Sequence, residues 1–155
     1  METVIRGHSK SVPKLIVRKS VNFYADALMS KRLHDNIHLT LKFVEFEKKD
    51  DFGDCYPYYD GMTARLFDIR LNKNLSRRRT LETLAHELVH LKQQAKGEWY
   101  EYDRSPSCHR WNGTRIRVDK ENDNSYWLAP WEIEAYGMEF GLFRAFRSHH
   151  RELFS

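Results

Sequence analysis

The residues with the clearest chemical potential form the segment His86-Glu87-Leu88-Val89-His90. In an α-helix, residues four apart are separated by about 40° around the axis and about 6 Å along it, so both imidazoles leave the same face. Imidazole nitrogens on one face can bind one metal ion, and zinc accepts them at about 2.0–2.1 Å. The spacing therefore predicts a zinc site on a helix. The alternative is two ordinary surface histidines, since a chain with eight histidines can produce this spacing by chance.

Glu87 lies beside the first histidine and is the candidate general base. In a His-Glu-x-x-His motif, this carboxylate takes a proton from a water molecule in the metal site. A catalytic zinc is held by three protein ligands, and water takes the fourth position. Two histidines therefore predict a third ligand elsewhere in the chain.

Three residues are candidates for this third ligand: Glu132, Glu134 and His109. The two glutamates lie in the first turn of a predicted helix, about 200° apart around its axis, so they cannot both face the metal. Either carboxylate could instead complement the helix dipole. Glu132 shares its face with Ala135 and Glu139, and the small residue permits close approach of the motif helix. We predict Glu132 as the ligand, with the other two as alternatives.

Hydrophobic periodicity predicts the elements that position these residues. They are a helix capped by Ser20 that ends between Leu33 and Asn36, a strand over 37–43, a strand over 65–71, a helix capped by Asn74 or Ser76 that ends at Gly97, and a helix from Pro130 to about Ser148. Residues 47–54 are predicted as a loop and residues 56–61 as a turn. The segment 98–130 is rich in turn formers and aromatic residues, with one short strand predicted at 114–118.

The length and composition are typical of one domain over residues 1–155. The chain is 41% hydrophobic and 31% charged, and it contains no repeat or linker. Its two cysteines, Cys55 and Cys108, form no Cys-x-x-Cys pair, which argues against thiolate zinc sites and iron–sulfur clusters. The order of the predicted elements indicates an α+β fold.

The segment TLETLAHELVHLKQQAKG, followed by Glu132-x-x-Ala135 within PWEIEAY, resembles the gluzincin class of zinc metallopeptidases. In that class a glutamate on a later helix completes the motif. Within it, the chain is similar to small zincin domains of bacteria and phages, of the SprT-like and ImmA/IrrE-like kinds. Such families usually carry Asp or Asn after the small residue, where this chain has Tyr136. In SprT-like proteases three histidines hold the metal, which is the arrangement that His109 would supply.

The resemblance implies a zincin-like fold with an N-terminal helix, a short mixed or antiparallel sheet, the motif helix and a C-terminal helix that carries the third ligand. It implies one zinc ion held by His86, His90 and Glu132, with Glu87 as general base, and a protein or peptide as substrate. It also implies that a strand edge beside the motif helix pairs with the substrate. We assign residues 67–71 to this role, with a plain core strand as the alternative.

Tyr136 lies four residues after Glu132, on the same predicted helix face. Its hydroxyl is a candidate for stabilising the oxyanion of a tetrahedral intermediate. The alternative is a core tyrosine with a satisfied hydroxyl.

Two basic clusters can meet phosphates or form a solvated surface. They are Arg77, Arg78 and Arg79, and Arg144, Arg147, His149, His150 and Arg151. They support two alternatives: a nucleic-acid-associated binding module with a structural zinc, and a SprT-like protease that acts on DNA-bound proteins. The net charge of +4 suits an anionic partner without identifying one.

The first twenty residues contain no apolar run of seven or more and no small-residue cleavage site. No stretch approaches the roughly 20 apolar residues of a membrane span. These patterns predict a cytoplasmic protein without a membrane partner, in the host cytoplasm if a phage encodes it.

Overall fold

The computed structural model describes residues 1–102, 107–119 and 121–154. Within these ranges the chain forms an α+β fold with two sheets. The strands are β1 (Glu2–Arg6), β2 (His38–Val44), β3 (Gly53–Asp60), β4 (Thr63–Asn72), β5 (Trp99–Glu101), β6 (Cys108–Trp111) and β7 (Thr114–Arg117). The helices are α1 (Lys14–Leu28), α2 (Lys31–Asp35), α3 (Arg77–Ala95), α4 (Asp123–Trp127) and α5 (Pro130–His149), followed by a 3-10 turn (Arg151–Leu153).

The larger sheet is mixed, with the strand order β1-β2-β4-β3. β1, β2 and β4 run parallel, whereas β3 runs antiparallel to β4. β5, β6 and β7 form a smaller antiparallel sheet between α3 and α5 in the sequence. The mixed sheet agrees with the predicted α+β class.

The prediction that residues 67–71 form a substrate-pairing edge is wrong. β4 is paired on both sides, because β3 hydrogen-bonds to the edge that the prediction left open. β3 covers residues that were predicted as a loop and a turn. Its sequence contains Pro57, which lacks an N–H group and is tolerated in an edge strand. β3, and not β4, is therefore the edge of the sheet beside α3.

The hydrophobic core lies between one face of the larger sheet and the helices α1, α3 and α5. Alternate residues of β2 and β4 point into it, as a strand with one buried face requires. The buried side chains include Leu39, Leu41, Phe67, Ile69, Leu84 and Leu88. α3 is enclosed on most of its circumference, so even its polar residues from His86 to His90 are buried.

The caps of the helices agree only in part with the predictions. Ser76 caps α3 by accepting a hydrogen bond from the Arg79 amide at 3.2 Å, which decides between the two predicted caps. Gly97 follows the end of α3 with a φ of 73°, a left-handed conformation that glycine adopts easily. Ser20 is not a cap, because α1 begins six residues earlier and the Ser20 hydroxyl donates to a carbonyl within the helix.

Several short elements were not predicted. They are β1, β5, β6 and α4, together with the break that separates α2 from α1. Ser30 makes this break, because its side chain accepts the Leu33 amide and starts a new helix. Short strands carry little periodicity of their own, and their pairing with distant segments stabilises them. In the described part of the chain, none of the helices combines the length and apolar character that a membrane span requires.

Candidate metal centre

Two antiparallel helices bring the predicted ligands together. α3 carries His86 and His90, and α5 carries Glu132 near its start. Glu132 Oε1 lies 3.1 Å from His90 Nε2, and its Oε2 lies 3.2 Å from His86 Nε2. The three candidate ligand atoms all lie within 4.8 Å of one another. Ala135, fully buried one turn along α5, leaves room for this close helix contact. The three side chains form a buried group that could hold a metal ion.

The hydrogen bonding of Glu132 suits a cation. Its Oε2 is buried without a hydrogen-bond partner of normal geometry, although His86 Nε2 is close by. Burial alone would raise the pKa of Glu132, but the close imidazoles of His86 and His90 outweigh it and lower this pKa to about 2. The carboxylate is therefore ionised, as a metal ligand must be. A buried carboxylate oxygen without a donor is a position that a bound cation would satisfy.

The second nitrogen of each imidazole has its own partner. His86 Nδ1 lies 2.8 Å from Glu139 Oε2, and His90 Nδ1 lies 2.9 Å from Gln93 Oε1. These contacts leave both Nε2 atoms directed at Glu132. Carboxylate or amide partners of this kind fix the tautomer and orientation of ligating histidines.

Sequence reasoning did not identify Gln93 and Glu139 as supporting residues. Their positions could have indicated the role, since Gln93 lies one turn after His90 and Glu139 lies on the Glu132 face of α5. Glu139 thus supplies a second carboxylate to the site, beside that of Glu132.

Glu134, an alternative third ligand, points away from the histidines. Its Oε1 accepts hydrogen bonds from Lys92 Nζ at 2.8 Å and from Gln93 Nε2 at 3.2 Å. Gln93 Nε2 also donates to the carbonyl of Trp131 at 3.0 Å. Glu134 therefore holds Gln93, which in turn holds His90.

His109, the other alternative, is buried in β6 but outside the ligand group. Its Nδ1 accepts a hydrogen bond from Trp99 Nε1 at 3.1 Å, and its ring stacks on Trp131 with centroids 4.5 Å apart. Trp99 also stacks on Trp131 and lies 5.1 Å from the His90 ring. These aromatic residues form a stacked cluster that packs against His90 on one side of the site.

Glu87 lies at the end of a cavity beside the ligands. It is only 6% exposed, and burial raises its pKa to about 7 despite the opposing effect of His90 and His86. A carboxylate with a pKa near neutrality suits a general base. The cavity has a volume of about 490 Å³, and its walls include His86, Glu87, Phe52, Gly53, Tyr126, Trp127, Tyr136 and Glu139.

Gly53, the first residue of β3, lines this cavity with the loop before it and lies close to α3. A Cβ atom added to Gly53 would lie 2.9 Å from the Arg70 carbonyl oxygen and 3.0 Å from Thr83 Cγ2. Only glycine permits this approach to Thr83, which lies one turn before His86 on α3. Further along β3, Cys55, Tyr56, Pro57 and Tyr59 line a second cavity of about 250 Å³ together with Gln94 and Trp99. One cavity therefore adjoins the start of β3 and the other adjoins its middle.

Tyr136 is not a core residue. It is 40% exposed, lines the larger cavity, and places its ring 4.4 Å from the ring of His86. Its hydroxyl hydrogen-bonds to that of Tyr126 on α4. Burial raises the pKa of both tyrosines, so both hydroxyls keep their protons at neutral pH.

Comparison with known proteins does not assign a function to the residues of this site. No protein-family model matches the chain, and neither a curated protein nor a solved structure shows significant similarity to it. The likeness to zincins is a likeness of local motifs, and any function must be argued from the geometry of the site.

Proposed function

We propose that this protein is a zinc-dependent metallopeptidase that hydrolyses peptide bonds of a protein or peptide substrate. The observation that supports this best is the buried group of His86, His90 and Glu132, which adjoins Glu87 at the wall of an open cavity. A structural zinc site would normally have four protein ligands and no opening to solvent. Three protein ligands beside an open cavity therefore favour a catalytic zinc site over a structural one.

The donor set fits zinc. Two imidazole nitrogens and one carboxylate oxygen match the ligands of hydrolytic zinc sites, and a fourth position is left for water. Zinc bound there would lower the pKa of that water and polarise a substrate carbonyl. Glu139 and Gln93 hold the imidazoles in the tautomer that presents Nε2 to the ion.

Glu87 performs the proton transfers in this proposal. Its carboxylate accepts a proton from the attacking water and later donates it to the nitrogen of the leaving amine. Burial keeps its pKa near 7, so the same group can accept and release a proton at neutral pH. Tyr136, whose ring packs on His86, provides a hydroxyl that can donate to the developing oxyanion.

β3 is the strand that we assign to substrate binding. Its outer edge is unpaired within the described part of the chain, and it borders both cavities beside the site. An extended peptide can add to such an edge through main-chain hydrogen bonds, with its side chains in the flanking cavities. The aromatic walls of both cavities suit apolar substrate side chains.

The test compares Glu87→Gln with wild type in zinc content and in hydrolysis of a denatured protein. We expect Glu87→Gln to retain one zinc ion per chain and to lose at least about 100-fold in activity, because the ligands remain and the base is removed. Glu121→Gln, at an exposed loop position, is the control and should keep full activity.

Chelation should abolish the wild-type activity and added zinc should restore it. Undiminished hydrolysis by Glu87→Gln, or activity that survives chelation, would refute the proposal.

A further inference from the structure

The packing of α3 against α5 unites the two basic clusters. His90 meets Glu132 near the start of α5, and His86 meets Glu139 further along it, so the two helices run antiparallel. The start of α3 therefore lies at the same end of the molecule as the end of α5. Six arginines lie at this end, and we call them the arginine end: Arg77, Arg78, Arg79, Arg144, Arg147 and Arg151.

Two phenylalanine rings each lie beneath one arginine from each helix. The guanidinium carbons of Arg78 and Arg144 lie 5.9 and 6.0 Å from the centroid of the Phe140 ring. Those of Arg77 and Arg147 lie 5.0 and 5.9 Å from the Phe154 ring. These cation–π contacts hold positively charged guanidinium groups side by side.

Most of these charges have no counter-charge in the described residues. Arg78 and Arg79 pair with Glu82 at 2.8 and 3.4 Å. The other four arginines form no ion pair with the described part of the chain. Three of the four line a cavity of about 410 Å³, together with Ser148 and Phe154. The arginine end thus carries an excess of positive charge around an open cavity.

The helix dipoles of α3 and α5 do not explain all residues of the arginine end. The partial negative charge at the end of α5 favours cations, which accounts for Arg147. At the start of α3 the dipole disfavours cations, yet this first turn contains three arginines and no acidic residue. Arg77 donates to the Leu153 carbonyl, but its buried Nε has no hydrogen-bond partner. An anion at this end would satisfy the dipole of α3 and the arginines together.

We propose that the arginine end binds the phosphate backbone of a nucleic acid. Guanidinium groups bind phosphate oxygens through two parallel hydrogen bonds, a geometry that lysine cannot provide. Arg144 and Arg147 lie one turn apart, and Arg151 follows in the 3-10 turn, so the row extends over about 10 Å. A row of this length suits successive phosphates of one strand better than a single small anion.

An exposed aromatic ring adjoins this row. Phe140 is 52% exposed and lies beside Arg144, where an unpaired base could stack on it. Arg144 lies about 18 Å along α5 from Glu132. Of the six arginines only Arg79 lines the cavity beside Glu87, so a strand bound along Arg144, Arg147 and Arg151 would leave that cavity open. The inference is independent of the proposed peptidase activity.

The test measures fluorescence anisotropy of a labelled 20-nucleotide single strand and of the matching DNA duplex with the full chain. The test variant combines Arg144→Gln, Arg147→Gln and Arg151→Gln. The control combines Lys31→Gln, Arg32→Gln and Arg117→Gln, three exposed residues that form no ion pair with the described part of the chain, and so removes the same charge elsewhere.

We expect the test variant to weaken binding at least about 10-fold and to reduce the slope of log K against log salt by about 2–3, since each phosphate contact contributes about 0.7–0.9. The control should stay within about threefold of the wild-type affinity.

Equal losses of affinity in the test and control variants would refute a specific site. Absence of wild-type binding at moderate salt, or equally tight binding of polyglutamate or phosphatidylserine vesicles, would also refute the proposal. If the test variant does not fold, single Arg144→Gln and Arg147→Gln variants should each lower the slope by about 0.7–0.9, and unchanged slopes would refute it.

Discussion

Glu139 accepts a hydrogen bond from the side of the His86 ring that faces away from Glu132. The Nδ1–Oε2 distance is 2.8 Å, while Nε2 faces Glu132 at 3.2 Å. His86 therefore lies between two carboxylates, one suited to bind the metal and one suited to orient the ring. Burial lowers the pKa of His86, but the two carboxylates outweigh it and raise the pKa to about 10. Metal binding must displace that proton.

The first prediction is that Glu139→Ala lowers zinc affinity about 10- to 100-fold without abolishing binding. The substitution removes the partner that orients His86 but leaves all three ligands. Competition with a zinc chelator of known affinity measures the change. Glu139→Gln, which keeps an acceptor for Nδ1, should lose less than Glu139→Ala. Equal affinity in wild type and Glu139→Ala would show that this hydrogen bond does not support the site.

The second prediction concerns the third ligand. Glu132→Ala should lose stoichiometric zinc, whereas Glu134→Ala and His109→Ala should retain it, because neither of these side chains reaches the ligand group. Zinc should also stabilise wild type by about 2.7 kcal/mol at a free concentration of 100 times Kd, since it binds the folded chain. Metal analysis and thermal melts with and without chelator measure both effects. Full occupancy in Glu132→Ala, with loss in either of the others, would contradict the assignment.

The third prediction is that Tyr136→Phe lowers kcat at least about 10-fold and leaves zinc affinity unchanged. The change removes the hydroxyl that can donate to the oxyanion but keeps the ring against His86. Steady-state kinetics on one peptide and a zinc titration separate the two effects. Tyr24→Phe, which removes a tyrosine hydroxyl on α1 outside both cavities, is the control. An unchanged kcat would mean that the Tyr136 hydroxyl does not stabilise the oxyanion and that the ring only packs against His86.

The fourth prediction concerns stability at alkaline pH. Tyr24 is fully buried on α1, and its hydroxyl donates to the Leu81 carbonyl at 3.2 Å. Burial raises its pKa above the ordinary value of 10.0, and Glu82 adds to the shift. Above about pH 10 the unfolded chain therefore loses a proton that the folded chain retains. The free energy of unfolding should fall by about 1.4 kcal/mol per pH unit from this group.

Tyr24→Phe removes that contribution, at a cost of about 1 kcal/mol at neutral pH for the lost hydrogen bond. Denaturant unfolding between pH 8 and pH 11 should show a shallower alkaline decline for Tyr24→Phe than for wild type. Tyr56→Phe should keep the wild-type slope. The same slope in all three proteins would mean that Tyr24 ionises in the folded state.

Local sequence patterns were sufficient for the centre of the site. Helical geometry places His86 and His90 on one face, and the angle between Glu132 and Glu134 allows only one of them to face the metal. Ser76 as a cap and Pro130 as a helix start are likewise local signals, and both agree with the structure. These features depend on the bonding of a residue to its near neighbours in the chain.

The partners of the ligands depended on tertiary structure. Glu139 reaches His86, and Glu134 reaches Gln93, only because α3 and α5 pack antiparallel at one particular register. Side chains on two helices can meet in many registers, and a sequence pattern does not select among them. The same register brings the two basic clusters to one end.

Strand pairing was also decided by the tertiary structure. Residues 67–71 have the alternating pattern of a strand, and this pattern is compatible with an edge or a central position. β3, with Pro57 and few aliphatic residues, has no such pattern and is stabilised by its hydrogen bonds to β4. The sequence by itself determined that His86 and His90 share one helix face beside Glu87, because helix geometry repeats every few residues. Only the tertiary structure decided which strand borders them, because strand order depends on contacts between distant segments.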